Sequence, residues 1–165
     1  MIGLCTIPWL LQIIMMTELR EQLYLLCADY LRAKEADIKK NIVEAQEAAS
    51  NETKSSAGDK YETGREVMQQ EIDLNLTRLN ELHKLKNTLE HILPTQKSAT
   101  VVPGTIAYTN NGNYYIAIGA GLLQVDGVRY YAISAASPIG SLLMGQKAGA
   151  TFELNGKRFV VERVG

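Results

Sequence analysis

From residue 17 to about residue 49 apolar and charged positions interleave at helical spacing, with neither proline nor glycine. Leu19, Leu23, Leu26, Tyr30 and Ala33 recur at steps of four and three, the spacing of a helix-packing seam. Past Asp37 the seam passes to Ile38, Ile42, Ala45 and Ala49, whose smaller side chains let a partner helix approach closely. Glu35, Lys39, Lys40 and Glu44 lie between them and make a solvated surface. Residues 50–58, Ser-Asn-Glu-Thr-Lys-Ser-Ser-Ala-Gly, are turn and capping residues without apolar periodicity. A second helical pattern follows over residues 60–93: Ile72, Leu76, Leu79, His83, Lys86, Leu89 and Leu93, with Leu82 and Leu85 widening the stripe and Pro94 ending it. Two helices of similar length joined by a short polar turn fold back antiparallel. The pattern therefore predicts a coiled-coil arm over residues 17–93, with its tip at about 50–64. At about 1.5 Å per residue the arm runs on the order of 50 Å into solvent.

Beyond residue 100 the period drops to two. Residues 101–108, 114–118, 128–133, 151–154 and 158–164 are short β-type runs. Asn110-Asn111-Gly112-Asn113, Asp126-Gly127 and Asn155-Gly156 separate them, and the last two are two-residue hairpin turns. Ser137-Pro138 opens a short helix through Leu143, with proline in its first turn and Gly145 stopping it. The expectation is an α+β chain: the helical arm, then a small β-rich domain over residues 100–165 with about five strands and one helix. No internal repeat is visible.

Composition narrows the function classes. Hydrophobic content of 46% supports a core, so the chain is not globally disordered. With 17 basic against 18 acidic residues there is no bulk electrostatic drive toward nucleic acid, although a local basic face is compatible with the total. Cys5 and Cys27 are far apart, without CxxC spacing, which excludes a disulfide scaffold and points to a reducing, cytoplasmic setting. Residues 1–16 carry no charge and include Ile2, Leu4, Ile7, Trp9, Leu10, Leu11, Ile13 and Ile14. They fall short of the roughly 20 apolar residues of a membrane span, Pro8 interrupts them, and they lack a secretory basic region and cleavage site. We read them as an over-extended start, with Met16 as the natural first residue; a short hydrophobic anchor is the other reading.

The chemistry concentrates at the arm tip, Gly58-Asp59-Lys60-Tyr61-Glu62. Asp at an N-cap with Glu at N3 is close to a capping box and worth about 1 kcal/mol to the helix. The same two carboxylates can share a hard divalent ion. Octahedral Mg²⁺ needs more ligands than two side chains supply, so such a site requires a second macromolecule. Elsewhere there is no GxSxG, no HExxH around His83 or His91, and no cysteine with a histidine partner. Gly119-Ala120-Gly121 follows a strand, but no glycine-spaced helix succeeds it, so it does not form a nucleotide loop. Tyr108, Tyr114, Tyr115, Tyr130 and Tyr131 read as sheet residues, with an aromatic ligand pocket as the alternative.

The segment Ser137-Pro138-Ile139-Gly140-Ser141-Leu142-Leu143-Met144-Gly145-Gln146-Lys147-Ala148-Gly149-Ala150 resembles the C-terminal signature of the Gre-type bacterial transcript cleavage factors. Phe159 to Val164 is similar to that family's closing strand, and Gly58, Asp59 and Glu62 match its Gly-Asp-x-x-Glu tip motif. The resemblance implies an FKBP-like C-terminal domain that docks on RNA polymerase, with Ser137, Pro138, Ile139, Leu142 and Gly145 as the partner-binding residues. It implies an arm that enters the polymerase secondary channel and brings Asp59 and Glu62 to the polymerase active site. There they act as catalytic carboxylates and as ligands of a Mg²⁺ shared with the polymerase, and stimulate cleavage of backtracked RNA. The chain would then be a monomer with no cofactor of its own. It would be no enzyme alone, would touch the nascent RNA 3′ end only indirectly, and would have no membrane partner.

After Glu62 the chain reads Thr63-Gly64-Arg65-Glu66, where the family pattern runs Asn-Ala-Glu/Asp-Tyr, and the serine-rich turn before Gly58 is longer. Altered tips on channel-binding factors go with inhibition of transcription, which keeps a polymerase regulator without cleavage stimulation as an alternative. A coiled-coil interaction protein unrelated to polymerase is a second alternative. Prolyl isomerase activity is disfavoured by the short domain and the lack of a legible substrate pocket.

Overall fold

The computed structural model describes residues 9–52, 60–94 and 98–165, the side chains of 9–14, 16, 17, 51, 52 and 60–63 excepted. Two long helices, α1 (Trp9–Glu52) and α2 (Lys60–Glu90), precede six strands and one short helix. The strands are β1 (Ile106–Thr109), β2 (Gly112–Ala117), β3 (Gly121–Val125), β4 (Val128–Ser134), β5 (Thr151–Leu154) and β6 (Lys157–Val164); α3 (Pro138–Leu143) lies between β4 and β5. The chain is thus α+β, with an N-terminal helical part and a C-terminal mixed sheet. It divides into two compact units. One joins the chain up to Ala28 with Thr88–Gly165, and the other is Asp29–Asn87.

The sheet order is β3-β4-β2-β1-β6-β5. Only β2 and β4 run parallel; the remaining neighbours are antiparallel. Both predicted hairpin turns are present, with Asp126 and Asn155 at φ 50° followed by Gly127 and Gly156 at φ 78° and 73°. Positive φ at both central residues twists a two-residue turn in the sense that matches the strands it joins.

Two strand expectations are corrected. The run over 101–108 is broken at Val102-Pro103-Gly104-Thr105, where Thr105 N–H donates to the Val102 carbonyl at 3.1 Å and Gly104 sits at φ 90°. Proline then glycine at the centre of a turn is the type II arrangement, so only Ile106–Thr109 forms strand. Strand β3 was not expected, although the hairpin at Asp126-Gly127 requires a strand on each side of it.

The two faces of the sheet are covered differently. Strand alternation puts Ile106, Tyr115, Tyr130 and Ala132 on one face. Within this unit Cys27, Arg20 and Tyr24 of α1 approach Tyr115 closely enough to act electrostatically on its hydroxyl. Leu23 and Cys27 are fully buried there. On the opposite face Val101, Ala107, Ile116, Leu143 and Val161 form a core cluster, packed by Ile139 and Met144. Burying each large side chain of this kind stabilises the fold by about 1.5–3 kcal/mol.

Within the helical unit Leu31, Ala45, Ile72, Asn75 and Leu82 are buried, and Ile38, Ile42 and Ala49 half-buried. The predicted α1 seam is therefore shielded along most of its length, with Leu23 buried, Leu19, Leu26 and Tyr30 half-buried, and Ala33 exposed. In its first half the most deeply buried positions are Leu23 together with Arg20, Cys27 and Leu31, each of these three next to a predicted seam residue. In α2 the shielded positions are Ile72, Asn75, Leu79, Leu82 and Leu89, while Leu76, His83 and Lys86 are exposed. The expected phase favoured leucine at 76 over asparagine at 75. The buried Asn75 amide is instead satisfied, donating to the Glu71 carbonyl at 3.0 Å and accepting from Arg78 Nη1 at 3.3 Å. Helix α2 also stops before Leu93, which is 61% exposed. The residue ahead of Pro94 is barred from helical geometry, and the chain turns with Ile92 N–H on the Leu89 carbonyl.

Candidate functional site

The predicted acid pair falls where the helices change over. Helix α2 begins at Lys60, so Asp59 is the residue immediately before it and Glu62 the third residue within it. Asp59 and the side chain of Glu62 lie outside the described residues. The donor set can be judged by its chemistry. Two carboxylates one helical turn apart furnish part of an octahedral shell, which fits a metal shared with another molecule and not a resident one. Among the described residues no group of three or more His, Cys, Asp or Glu could hold a metal ion. Nor is any described helix long and apolar enough to cross a membrane.

The five proposed docking residues gather around α3. Ser137 is its N-cap: the Oγ accepts from Gly140 N–H at 3.1 Å and donates to the Ser134 carbonyl at 2.8 Å. Pro138 occupies the first turn, where its missing N–H leaves no bond unmade. Ile139 packs against the core cluster, Leu142 is half-buried, and Pro138 is exposed. Gly145, at φ 76°, lets the chain leave the helix and donates to the Val101 carbonyl at 2.8 Å. Gly140 is fixed by close approach: a Cβ there would sit 2.1 Å from the Ser134 carbonyl oxygen and 2.7 Å from Ser137 Oγ. The segment is therefore a capped, tightly docked turn that presents Pro138 and Ser141 outward.

The sheet tyrosines separate into two groups. On the α1 side the Tyr115 hydroxyl is buried without a hydrogen-bond partner among the described residues, and burial pushes its ionisation upward. Tyr108 and Tyr130 share that face, and burial likewise raises both. The Arg163 guanidinium lies 3.9 Å from the centre of the Tyr108 ring and draws the hydroxyl back down. Cys27 is pushed up to about 12 by burial alone, which makes it a packing residue and not a nucleophile.

On the other face Tyr131 stacks on Tyr114, ring centres 5.6 Å apart. Tyr114 meets Phe159 at 6.4 Å, and Phe159 stacks on Phe152 at 5.0 Å. Leu122 pairs with Tyr131 across β3 and β4. Leu122 and Tyr131 are 54% and 40% exposed, so this end of the face is not covered by α3. Sequence reasoning missed Leu122 and its neighbours together with β3. The usable signal was the alternation Leu122, Leu123, Gln124, Val125 leading into Asp126-Gly127.

Comparison of the chain with protein-family models, with curated proteins and with solved structures gives no match.

Proposed function

We propose that this chain is a polymerase-binding elongation factor of the Gre type. Its helices form an antiparallel coiled-coil arm that enters the secondary channel of RNA polymerase, and its FKBP-like sheet domain docks at the channel mouth. The observation that carries the reading is the place of the acid pair. One compact unit, built from α1 and α2, spans Asp29–Asn87, and Asp59 and Glu62 fall near its midpoint in sequence, where α2 starts. A second helix starting there supports a rod with carboxylates at its turning point, and a capped helix start is a rigid mount for them.

On this reading the sheet domain supplies affinity and the arm supplies reach. Asp59 and Glu62 help to retain a Mg²⁺ held mainly by the polymerase, whose contribution is charge neutralisation at the scissile phosphate. The factor lowers the barrier of a reaction the polymerase already performs, and alone it hydrolyses nothing.

Stalled, backtracked polymerase complexes test this with the wild-type chain and with Asp59→Ala/Glu62→Ala. The reading expects rapid shortening of the RNA 3′ end with the first and none with the second. Polymerase binding is expected to be equal, measured by competition for the complex.

Thr63-Gly64-Arg65 after the acid pair favours one further outcome. Glycine in the first turns of a helix weakens it by about 1 kcal/mol relative to alanine, which loosens the mount. If wild type and variant both slow elongation and neither cleaves, the chain is a channel-blocking regulator. If neither affects or binds the polymerase, the arm serves another protein.

A further inference from the structure

The open end of the sheet face away from α1 carries an aromatic strip, and its chemistry extends beyond the rings. Strand alternation places Arg129 on the same face as Tyr131, two residues earlier on β4, and Lys157 on the same face as Phe159, at the start of β6. Gln124 lies opposite Arg129 in the register of β3 and β4. All three are exposed. The strand-borne carboxylates, Glu153 and Glu162, alternate to the other face: Glu153 pairs with Arg158, and Glu162 adjoins Arg163, which reaches Tyr108 there. Residues 98–165 contain five Lys and Arg against three Asp and Glu, so this domain is cationic although the whole chain is at −1.

Stacked rings in the middle, one cation at each end and no strand carboxylate between them are what a strand of unpaired bases on a phosphate backbone requires. Bases stack on aromatic faces whatever their identity, and the cations replace the counterions of the phosphates. Tyr131 is the exposed ring of the strip, with Tyr114 and Phe152 half-buried beside it. Gly112, at φ 130°, stands against the Tyr131 ring, and a Cβ there would press it at 3.3 Å. Phe159 is buried below and supports Tyr114 on one side and Phe152 on the other. Gln124, exposed opposite Arg129, brings to this face an amide that can hydrogen-bond a ribose 2′-hydroxyl, the group by which a protein distinguishes RNA from DNA.

We propose that this face, Leu122, Tyr131 and Tyr114 flanked by Arg129 and Lys157, binds single-stranded RNA. The site does not rest on the polymerase reading, because a free oligonucleotide suffices as ligand. Binding is general in base identity, depends on salt, and leaves duplex unbound, since the bases must be free to stack.

Fluorescence anisotropy on the full chain, with labelled RNA of about ten nucleotides at about 20 mM salt, tests it. The expected result is saturable binding that weakens with salt at a logarithmic slope near −1.4, about −0.7 for each of two cations. Tyr131→Ala should weaken binding roughly fivefold to a hundredfold, while Tyr131→Phe, which keeps the ring, stays within about twofold of wild type. Arg129→Ala should reduce the slope by about 0.7. Arg158→Ala removes the same charge from the opposite face and should leave slope and affinity unchanged. Absence of saturable binding overturns the proposal, as does an equal effect of Arg158→Ala and Arg129→Ala. Equal or tighter binding of single-stranded DNA overturns the assignment to RNA. Capture of a proline-rich peptide at the same face, with no RNA binding, would assign the aromatic strip to a protein partner instead.

Discussion

Gly140→Ala separates local helix propensity from the packing of the Ser137 turn, because the two predict opposite signs. In a solvent-exposed helix alanine is better than glycine by about 1 kcal/mol. Here the added Cβ would lie 2.1 Å from the Ser134 carbonyl oxygen and 2.7 Å from Ser137 Oγ. The first of these is backbone, and it also accepts the Ser137 N–H at 3.1 Å and the Ser137 hydroxyl at 2.8 Å. The methyl group therefore fits only if α3 moves by about an ångström. That costs about 1–3 kcal/mol in overpacking and breaks a cap worth about 1 kcal/mol more. Against the propensity gain, the expected net loss is about 1–3 kcal/mol, a large fraction of what so small a sheet domain has. Near-UV circular dichroism during urea unfolding weights this domain, since five of the eight tyrosines lie in its strands. With a slope of about 1 kcal/mol per molar, the midpoint should fall by about 1–3 M. A midpoint that is unchanged or higher, at unchanged slope, would refute the close approach of α3 to Ser134.

Two further perturbations test the two units separately. The Cys27 thiol ordinarily ionises near 9.0 and burial pushes it to about 12, so its contribution to stability is complete below pH 9 and is lost as pH rises toward 12. With Cys5→Ser in the background, Cys27 should resist thiol reagents at neutral pH, and stability should decline above pH 9 by up to about 1.4 kcal/mol per pH unit. Cys27→Ala should flatten that decline between pH 9 and 10, and an unaltered slope would show that the thiol is not shielded in the fold. In the helical unit Asn75→Leu replaces a buried amide in the seam by an apolar side chain. The thermal midpoint of the helices is expected to rise by a few degrees and a dimer to appear in sedimentation, because a buried asparagine restricts pairing at some loss of stability. A fall in the midpoint would mean that the bonds to Glu71 and Arg78 outweigh the hydrophobic gain.

The elements that sequence reading placed correctly are those settled by one local rule. Asp126-Gly127 and Asn155-Gly156 have few conformations open to them besides the hairpin turn. Ser137-Pro138 starts a helix because serine caps and proline needs no partner, and the helix is present at Pro138–Leu143. Errors arose where two rules compete. In α2 the choice between Leu76 and Asn75 at the seam sets residue hydrophobicity against the phase of the whole stripe, and the phase won. At Leu93 apolar character pointed inward, but Pro94 denied the residue a helical backbone. Strand β3 is hard to read from sequence because Gly119-Ala120-Gly121 reads as loop and only four side chains follow before the turn.

The candidate sites divide along the same line, for a reason visible in the tyrosines. Tyr114-Tyr115 and Tyr130-Tyr131 are adjacent pairs on paired strands, so a period of two puts one member of each pair on each face whatever the fold. The sequence is symmetric in this respect, and nothing local says which face is covered. The symmetry is broken by a segment nearly ninety residues upstream, where Leu23 and Cys27 of α1 are buried and Arg20 and Tyr24 come within electrostatic reach of Tyr115. Tyr115 and Tyr130 thereby become core, and Tyr131, stacked on the half-buried Tyr114, becomes the exposed ring between Arg129 and Lys157. The acid pair at 59 and 62 is the converse case: its spacing is legible, because a helix start is a local event, but under the proposed function its role depends on a partner that carries the remaining ligands. Both proposed sites therefore owe their place to the chain and, as proposed, their chemistry to what meets it. For that reason the oligonucleotide titration, which supplies the second molecule in its simplest form, separates the two readings most directly. A platform on the sheet domain binds without polymerase, and an arm tip that needs the polymerase does not.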